Sequence, residues 1–149
     1  MKRTLQLAAG LIFLCMVAEP KSLPPSAFPE LPTWIVAQLT QRECRIPQSH
    51  RRKKDNVIQG AFKQPGRTDW AVLCKTKTET KLLVFTQGED PVGVEKVQNG
   101  LYADVSIQVA SPLFMADYLQ KSQVKPAALP KLDHDGLWYW LGPRNPDSH

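Results

Sequence analysis

Near its C-terminus the chain carries three consecutive polar side chains that could do chemistry. Asp133, His134 and Asp135 precede Gly136. One carboxylate could orient His134 as a general base, or the two carboxylates could hold Ca²⁺, a cation that prefers oxygen ligands. Successive side chains of an extended segment point to opposite sides, which hinders all three from converging. Asp-x-Asp-Gly is also typical of a turn whose side chains bond their own backbone. We therefore expect a turn, and we keep Asp133 and Asp135 as the only candidate metal ligands.

Two tryptophans follow this loop in the apolar run Leu137–Leu141. In a strand, Trp138 and Trp140 share one face, and the alternate apolar residues share the other. If exposed, the two indoles could stack on a sugar ring or on a protein partner. If buried, they fill the core, and a strand that is apolar on both faces favours burial. Trp138 and Trp140 are accordingly the candidate ligand-binding residues, although we expect them to belong to the core.

The N-terminus predicts export. Lys2 and Arg3 precede an apolar run from Leu5 to Ala18, which is typical of a secretory signal peptide over residues 1–18. A lipid anchor on Cys15 is the alternative. The run is shorter than the roughly 20 residues that a membrane-spanning helix needs, so we expect no transmembrane span in the mature chain. Cleavage would remove Lys2 and Arg3 and lower the formal net charge from +5 to +3. The expected location is the periplasm or the extracellular space.

Cleavage would also leave two cysteines, Cys44 and Cys74. Two cysteines in an exported chain typically form one disulfide. A catalytic or metal-binding pair is the alternative, but the sequence has no Cys-x-x-Cys spacing to support it. We therefore predict a Cys44–Cys74 bridge and expect no catalytic residue and no cofactor.

Composition excludes several classes of protein. With 42% hydrophobic and 22% charged residues, the chain is neither a disordered polyelectrolyte nor a coiled coil. Thirteen prolines, nearly twice the usual share of about 5%, argue against long helices. The basic run His50–Lys54 could bind a polyanion. It lacks interleaved aromatic residues, so we expect residues 47–56 to form a solvated loop and expect no nucleic-acid partner.

The remaining patterns predict a small α+β protein with one domain over residues 33–141. Five prolines predict an extended tether over residues 19–32, and a polar tail is expected over 142–149. Thr33 is a candidate cap for a helix over 33–43, and Ser111-Pro112 begins a second helix that ends near residue 120. An irregular loop is expected over 87–100. Short apolar runs separated by turns predict an antiparallel β-meander of four to five strands, at residues 57–62, 70–74, 81–85, 105–109 and 137–141.

A local motif carries a resemblance to a known repeat. Gly60, Phe62, Gly66 and Asp69 stand at the spacing of one FG-GAP (VCBS-type) repeat, followed by an apolar strand. That family often binds Ca²⁺ with acids at three positions that Ala61, Lys63 and Pro65 occupy in this chain. The resemblance therefore implies local geometry and no metal.

A second resemblance covers roughly residues 33–140. Its strings are Cys44-x-Ile46-Pro47, Val57-Ile58-x-Gly60-x-Phe62, the run from Pro65 to Cys74, and Leu132-Asp133-His134-Asp135-Gly136. These strings look like a group of small exported bacterial proteins, and this resemblance brings no activity with it. Together the patterns favour an exported, non-enzymatic binding or interaction module of the cell envelope, whose partner is an envelope polysaccharide or protein. The alternative is an enzyme or calcium-dependent protein that uses the Asp133–Gly136 loop.

Overall fold

The computed structural model describes residues 21–49, 54–100, 102, 104–121 and 133–144. The predicted signal peptide, most of the basic run and residues 145–149 lie outside these ranges. Within them the chain forms two α-helices, a short 3-10 helix at Pro25–Ala27 and eight strands. The helices are α1 (Thr33–Gln41) and α2 (Pro112–Lys121). The strands are β1 (Ser22–Leu23), β2 (Ile46–Pro47), β3 (Val57–Gly60), β4 (Asp69–Lys75), β5 (Glu79–Phe85), β6 (Val92–Gln98), β7 (Val105–Ala110) and β8 (Gly136–Leu141).

The predicted fold class is confirmed: the protein is an α+β fold built on an antiparallel meander. Strands β3, β4, β5 and β6 form a sheet in chain order, so each strand pairs with the next through a short connection. Residues 71–74 of β4 are buried, because this central strand is covered on both faces, and such a strand has a continuous apolar sequence. All five predicted strands are present.

The predicted irregular loop over 87–100 is wrong, because β6 lies within it and forms an edge of the sheet. Sequence alternation failed here because most of β6 is exposed. Its valines at 92 and 94 are 60% and 56% exposed. The ladder with β5 is also irregular: Leu82 pairs with Glu95 and Leu83 with Gly93, so Val94 is an extra residue in a β-bulge.

Helix α1 covers one face of the sheet. Ile35 and Leu39 stand four residues apart and are fully buried in a core cluster that includes Phe85 of β5. The helix confirms the prediction apart from its last two residues. Thr33 is not its cap: Pro32 occupies the N-cap position and no side chain caps the helix.

The predicted tether over residues 19–32 is wrong for the described residues 21–32. Phe28 and Leu31 are 1% and 5% exposed and belong to the core cluster beneath α1. Strand β1 pairs with β2, and the 3-10 helix lies between β1 and α1. Prolines here stiffen a packed segment, and the two buried apolar side chains supply the driving force that a solvated tether lacks.

The predicted disulfide is confirmed. Cys44, just beyond α1, is bonded to Cys74 on β4, and both residues are almost fully buried. The neighbouring residues reinforce this connection, because Arg45 and Lys75 exchange backbone hydrogen bonds of 2.9 and 2.8 Å. The bridge and this pairing fasten the end of α1 to the central strand.

Strands β7 and β8 form an antiparallel pair over the other face of the sheet. Ile107, Leu137 and Tyr139 pack against a second core cluster that contains Leu73 and Leu82. Pairing continues past β8, where Gly142 N–H donates to Asp104 O at 2.7 Å and Arg144 pairs with Tyr102. The predicted tail therefore begins at least three residues too early.

Asn56, just before β3, connects β2 to β7 and is fully buried. Its side-chain NH2 group donates to Val105 O at 2.9 Å and to Pro47 O at 2.7 Å, and its Oδ1 accepts from Ile107 N–H at 3.0 Å. The Asn56 amide thus donates to and accepts from backbone groups of β7, as the backbone of a neighbouring strand would. The expectation of a solvated loop is wrong for residues 48, 49, 55 and 56, which are buried. Residues 50–53 lie outside the described ranges.

Candidate functional site

The structure brings together two motifs that the sequence separates by more than 60 residues. Asp135 Oδ2 accepts a hydrogen bond from Ala61 N–H at 3.0 Å, and Asp135 N–H donates to Ala61 O at 3.0 Å. The Asp-Gly loop before β8 is therefore docked on the turn that follows β3. This reciprocal pair uses the Asp135 carboxylate to position β8.

Glycine is required at position 60 by this close approach. A Cβ on Gly60 would lie 2.7 Å from the ring of Phe62 and 3.3 Å from Asp135 Oδ2. Farther along the same turn Asp69 is fully buried, and its Oδ2 accepts from Lys63 N–H at 2.9 Å. The motif residues thus build a compact turn at the start of β4. The FG-GAP resemblance itself stays a resemblance.

His134 and its two flanking aspartates do not converge. Nδ1 of His134 lies 2.9 Å from the backbone O of Asp135, while the Asp135 carboxylate turns to Ala61. Asp133 is exposed. Across the described part of the chain, no group of three or more His, Cys, Asp or Glu side chains could hold a metal ion. The predicted turn, whose side chains bond their own backbone, is wrong for Asp135, because its carboxylate bonds Ala61 N–H.

Trp138 lies in an aromatic cluster between β8 and α2. Its ring contacts Tyr118 edge to face at a centroid distance of 4.6 Å and Phe114 at 5.6 Å. The alternate residues Leu137 and Tyr139 pack against the sheet, so Trp138 lies on the opposite face of β8. We expect this indole to be buried in the core. In the structure it is instead half-buried beneath α2. Trp140 is also half-buried.

Helix α2 completes this cluster. It begins as predicted, with Ser111 Oγ accepting from Phe114 N–H at 3.2 Å. Phe114 and Tyr118 stand one turn apart with nearly parallel rings, and they are 37% and 40% exposed. Leu113 is 84% exposed, and within α2 no side chain is fully buried. We call Leu113, Phe114, Tyr118 and Trp138 the aromatic surface.

The sequence analysis missed Phe114 and Tyr118 as site residues. Two features of the sequence could have indicated them. Phe114 and Tyr118 stand four residues apart on one helix, and that helix directly follows β7, the strand that pairs with β8. Gln108 of β7 lies opposite Trp138. A helix that folds back over this pair places its aromatic stripe on the tryptophan.

A buried hydroxyl lies on the other face of β8. Tyr139 Oη is buried and has no hydrogen-bond partner among the described residues. Burial raises the pKa of Tyr139 well above its usual value, and the nearby Glu95 and Tyr102 raise it further. This hydroxyl stays protonated at any physiological pH, so it can act as a hydrogen-bond donor and not as a base.

Comparison with protein-family models, with curated proteins and with solved structures finds no match for this chain. No helix in the described ranges is both long and apolar enough to cross a membrane. The aromatic surface offers two partly exposed rings and an almost fully exposed leucine on a single helix.

Proposed function

We propose that this protein is an exported, non-enzymatic binding module of the cell envelope, which contacts a protein partner through the aromatic surface. The exposure of Leu113, Phe114 and Tyr118 carries the proposal. Burying such side chains is favourable by roughly 25 cal/mol per Å² of apolar surface, and a helix that leaves three of them in water has a surface to offer a partner. The Cys44–Cys74 bridge supports export, because disulfides persist in oxidising compartments.

A protein partner fits this surface better than a charged polymer. On the same helix an exposed ion pair joins Lys121 Nζ and Asp117 Oδ2, 2.7 Å apart. These two charges cancel, so the surface has no net attraction for a polyanion. Aromatic side chains are enriched at protein–protein interfaces, where charged residues are few.

Site-specific photocrosslinking tests the proposal. A photoreactive amino acid replaces Leu113 in the mature protein, which is then exposed to the envelope fraction of the producing cells. The matched control replaces Gln41, an exposed residue of α1, the helix that covers the opposite face of the sheet from β7 and β8. We expect a discrete adduct from position 113 and none from position 41.

A second variant shows whether the rings are responsible. Tyr118→Ala should abolish the adduct at position 113, because it removes one of the two exposed rings. Adducts of equal yield at positions 113 and 41, or an adduct unaffected by Tyr118→Ala, would contradict an interface at the aromatic surface.

Calcium titration tests the alternative function. A ligand that binds only the folded state raises the melting temperature. Because the Asp135 carboxylate already accepts from Ala61 N–H, we expect millimolar Ca²⁺ to leave the melting temperature unchanged. A rise that Asp133→Asn abolishes would favour the calcium-dependent protein.

A further inference from the structure

An open groove of about 510 Å³ lies between α1 and the connection from β5 to β6. Its lining consists of one aromatic residue and a set of polar residues and glycine: Trp34, Gln38, Gln87, Gly88, Glu89 and Asp90. The volume is within the range of about 300–1,000 Å³ that is usual for ligand sites. None of these residues belongs to the aromatic surface, so the groove is a separate candidate site.

Trp34 provides a fixed apolar platform. It is the second residue of α1, and its ring meets Phe85 edge to face at a centroid distance of 6.0 Å. Phe85 is fully buried and therefore anchors the indole, which is still 37% exposed. A ligand that covers the indole would gain apolar contact without having to order a mobile side chain first.

The loop opposite Trp34 is held in shape by its own hydrogen bonds. Glu89 N–H donates to Thr86 O at 3.2 Å, and Gly88 has a φ of +82°, which other residues rarely adopt. Thr86 Oγ1 donates to Glu89 Oε2 at 3.0 Å, and Lys63 Nζ contacts both carboxylate oxygens of Glu89. The Lys63 and Thr86 hydrogen bonds lower the pKa of Glu89, so the pair stays charged at neutral pH.

The polar groups around the indole suit hydroxyl groups. Arg42 Nη1 donates to Gln38 Oε1 at 3.4 Å. Because this oxygen already accepts a hydrogen bond, the NH2 group of Gln38 is the part that can donate to a ligand. Gln87 and Asp90 are exposed on the loop and can accept from hydroxyls. Two carboxylates disfavour an anionic ligand, and the pairing of Glu89 with Lys63 removes much of the attraction for a cation.

We propose that this groove binds a neutral oligosaccharide. A sugar ring has an apolar face of C–H groups and a rim of hydroxyls, which matches an exposed indole bordered by amide and carboxylate groups. One ring covers Trp34, while Gln38 donates to its hydroxyls and Asp90 accepts from them. The site adds a second kind of ligand to the proposed protein partner, and either site can exist without the other.

Isothermal titration calorimetry on the mature, disulfide-bonded protein tests the groove. The probes are four neutral tetrasaccharides (cellotetraose, maltotetraose, mannotetraose and chitotetraose), an anionic galacturonate tetrasaccharide, and choline chloride. We expect at least one neutral tetrasaccharide to bind and the anion and choline not to bind. The proposal would be overturned if no neutral tetrasaccharide bound at millimolar concentration. It would also be overturned if only choline or only the anion bound.

Variants locate the binding that is observed. Trp34→Ala should weaken it about tenfold or more, because the ligand loses the large apolar ring face on which it stacks. Gln38→Ala should weaken it severalfold, whereas Gln41→Ala, the same change on an exposed position of α1, should not. Gln38→Ala and Asp90→Asn carry the test if Trp34→Ala does not fold. Binding that survives these changes but is lost in Tyr118→Ala would overturn the groove and place saccharide recognition on the aromatic surface.

Discussion

Replacing Asn56 should be among the most destabilising single changes in this fold. Its side chain makes three hydrogen bonds, to Pro47 O, Val105 O and Ile107 N–H, and the residue is fully buried. Each such bond contributes about 1 kcal/mol, and a buried group left without its partner costs about 1–3 kcal/mol. We expect Asn56→Gly to lower the free energy of unfolding by about 3–4 kcal/mol, a large fraction of the roughly 5–15 kcal/mol typical of a domain.

The choice of glycine separates the side chain from the backbone. Asn56 has a φ of +70°, a conformation that asparagine tolerates and glycine adopts without strain. Asn56→Ala loses the same three bonds and in addition places a Cβ in the left-handed region, at a further cost of about 1 kcal/mol. The alanine variant should therefore be less stable than the glycine variant.

Urea unfolding followed by circular dichroism measures these differences. The matched control is Asn99→Ala. Asn99 is half-buried, accepts from Thr80 Oγ1 at 2.7 Å and donates to Thr76 O at 2.6 Å. Because water can replace these partners, we expect a loss of about 1 kcal/mol or less. An Asn56→Gly variant within about 1 kcal/mol of the wild type, or no less stable than Asn99→Ala, would refute the idea that Asn56 holds β2 and β7 together.

Three further predictions concern stability. Reduction of the Cys44–Cys74 bond should increase the intact mass by two hydrogens and lower stability by about 3–4 kcal/mol, from the 30-residue separation; two unpaired thiols in the exported protein would contradict it. Asp69→Ala should cost about 1–2 kcal/mol, because Lys63 N–H loses a charged acceptor, whereas Asp69→Asn keeps an acceptor; equal urea midpoints for alanine and wild type would show that the carboxylate is dispensable. Tyr139→Phe should raise stability by about 1 kcal/mol by removing a buried hydroxyl that has no partner among the described residues. Wild-type stability should also fall above about pH 10, where the unfolded tyrosine loses a proton that the folded one keeps, and the Phe variant should fall less steeply.

Regular patterns allowed most of the meander to be predicted. Strand β4 has a continuous apolar run, β7 alternates, and Ser111-Pro112 marks the start of α2, so local chemistry determines each of them. The disulfide followed from the cysteine count and the predicted export. The strands and the helix start depend on residues that are close in the sequence. The disulfide depends on two cysteines, each of which has only the other as a partner once the signal peptide is removed.

The rest depends on contacts that no local pattern records. Asn56 is polar and follows a basic run, so its sequence context predicts exposure to solvent. It is nevertheless buried, because its side chain bonds backbone groups of β2 and β7. Pro25 and Pro29 suggest a tether, while Phe28 between them is in the core. The aromatic surface and the groove each combine a helix with a segment elsewhere in the chain. Trp34 and Asp90, more than 50 residues apart, could not be paired from the sequence.

The bulge at Val94 has a consequence for how the molecules behave in a crowded compartment. A regular exposed edge strand can recruit the same strand of another molecule, and repeated recruitment ends in aggregation. On β6, an incoming strand would need a matching extra residue opposite Val94 to keep its ladder of hydrogen bonds. The edge can therefore expose two valines without becoming a template. Deleting Val94 would restore the regular pleat. The deletion would lower the solubility of the protein more than the stability of the single molecule.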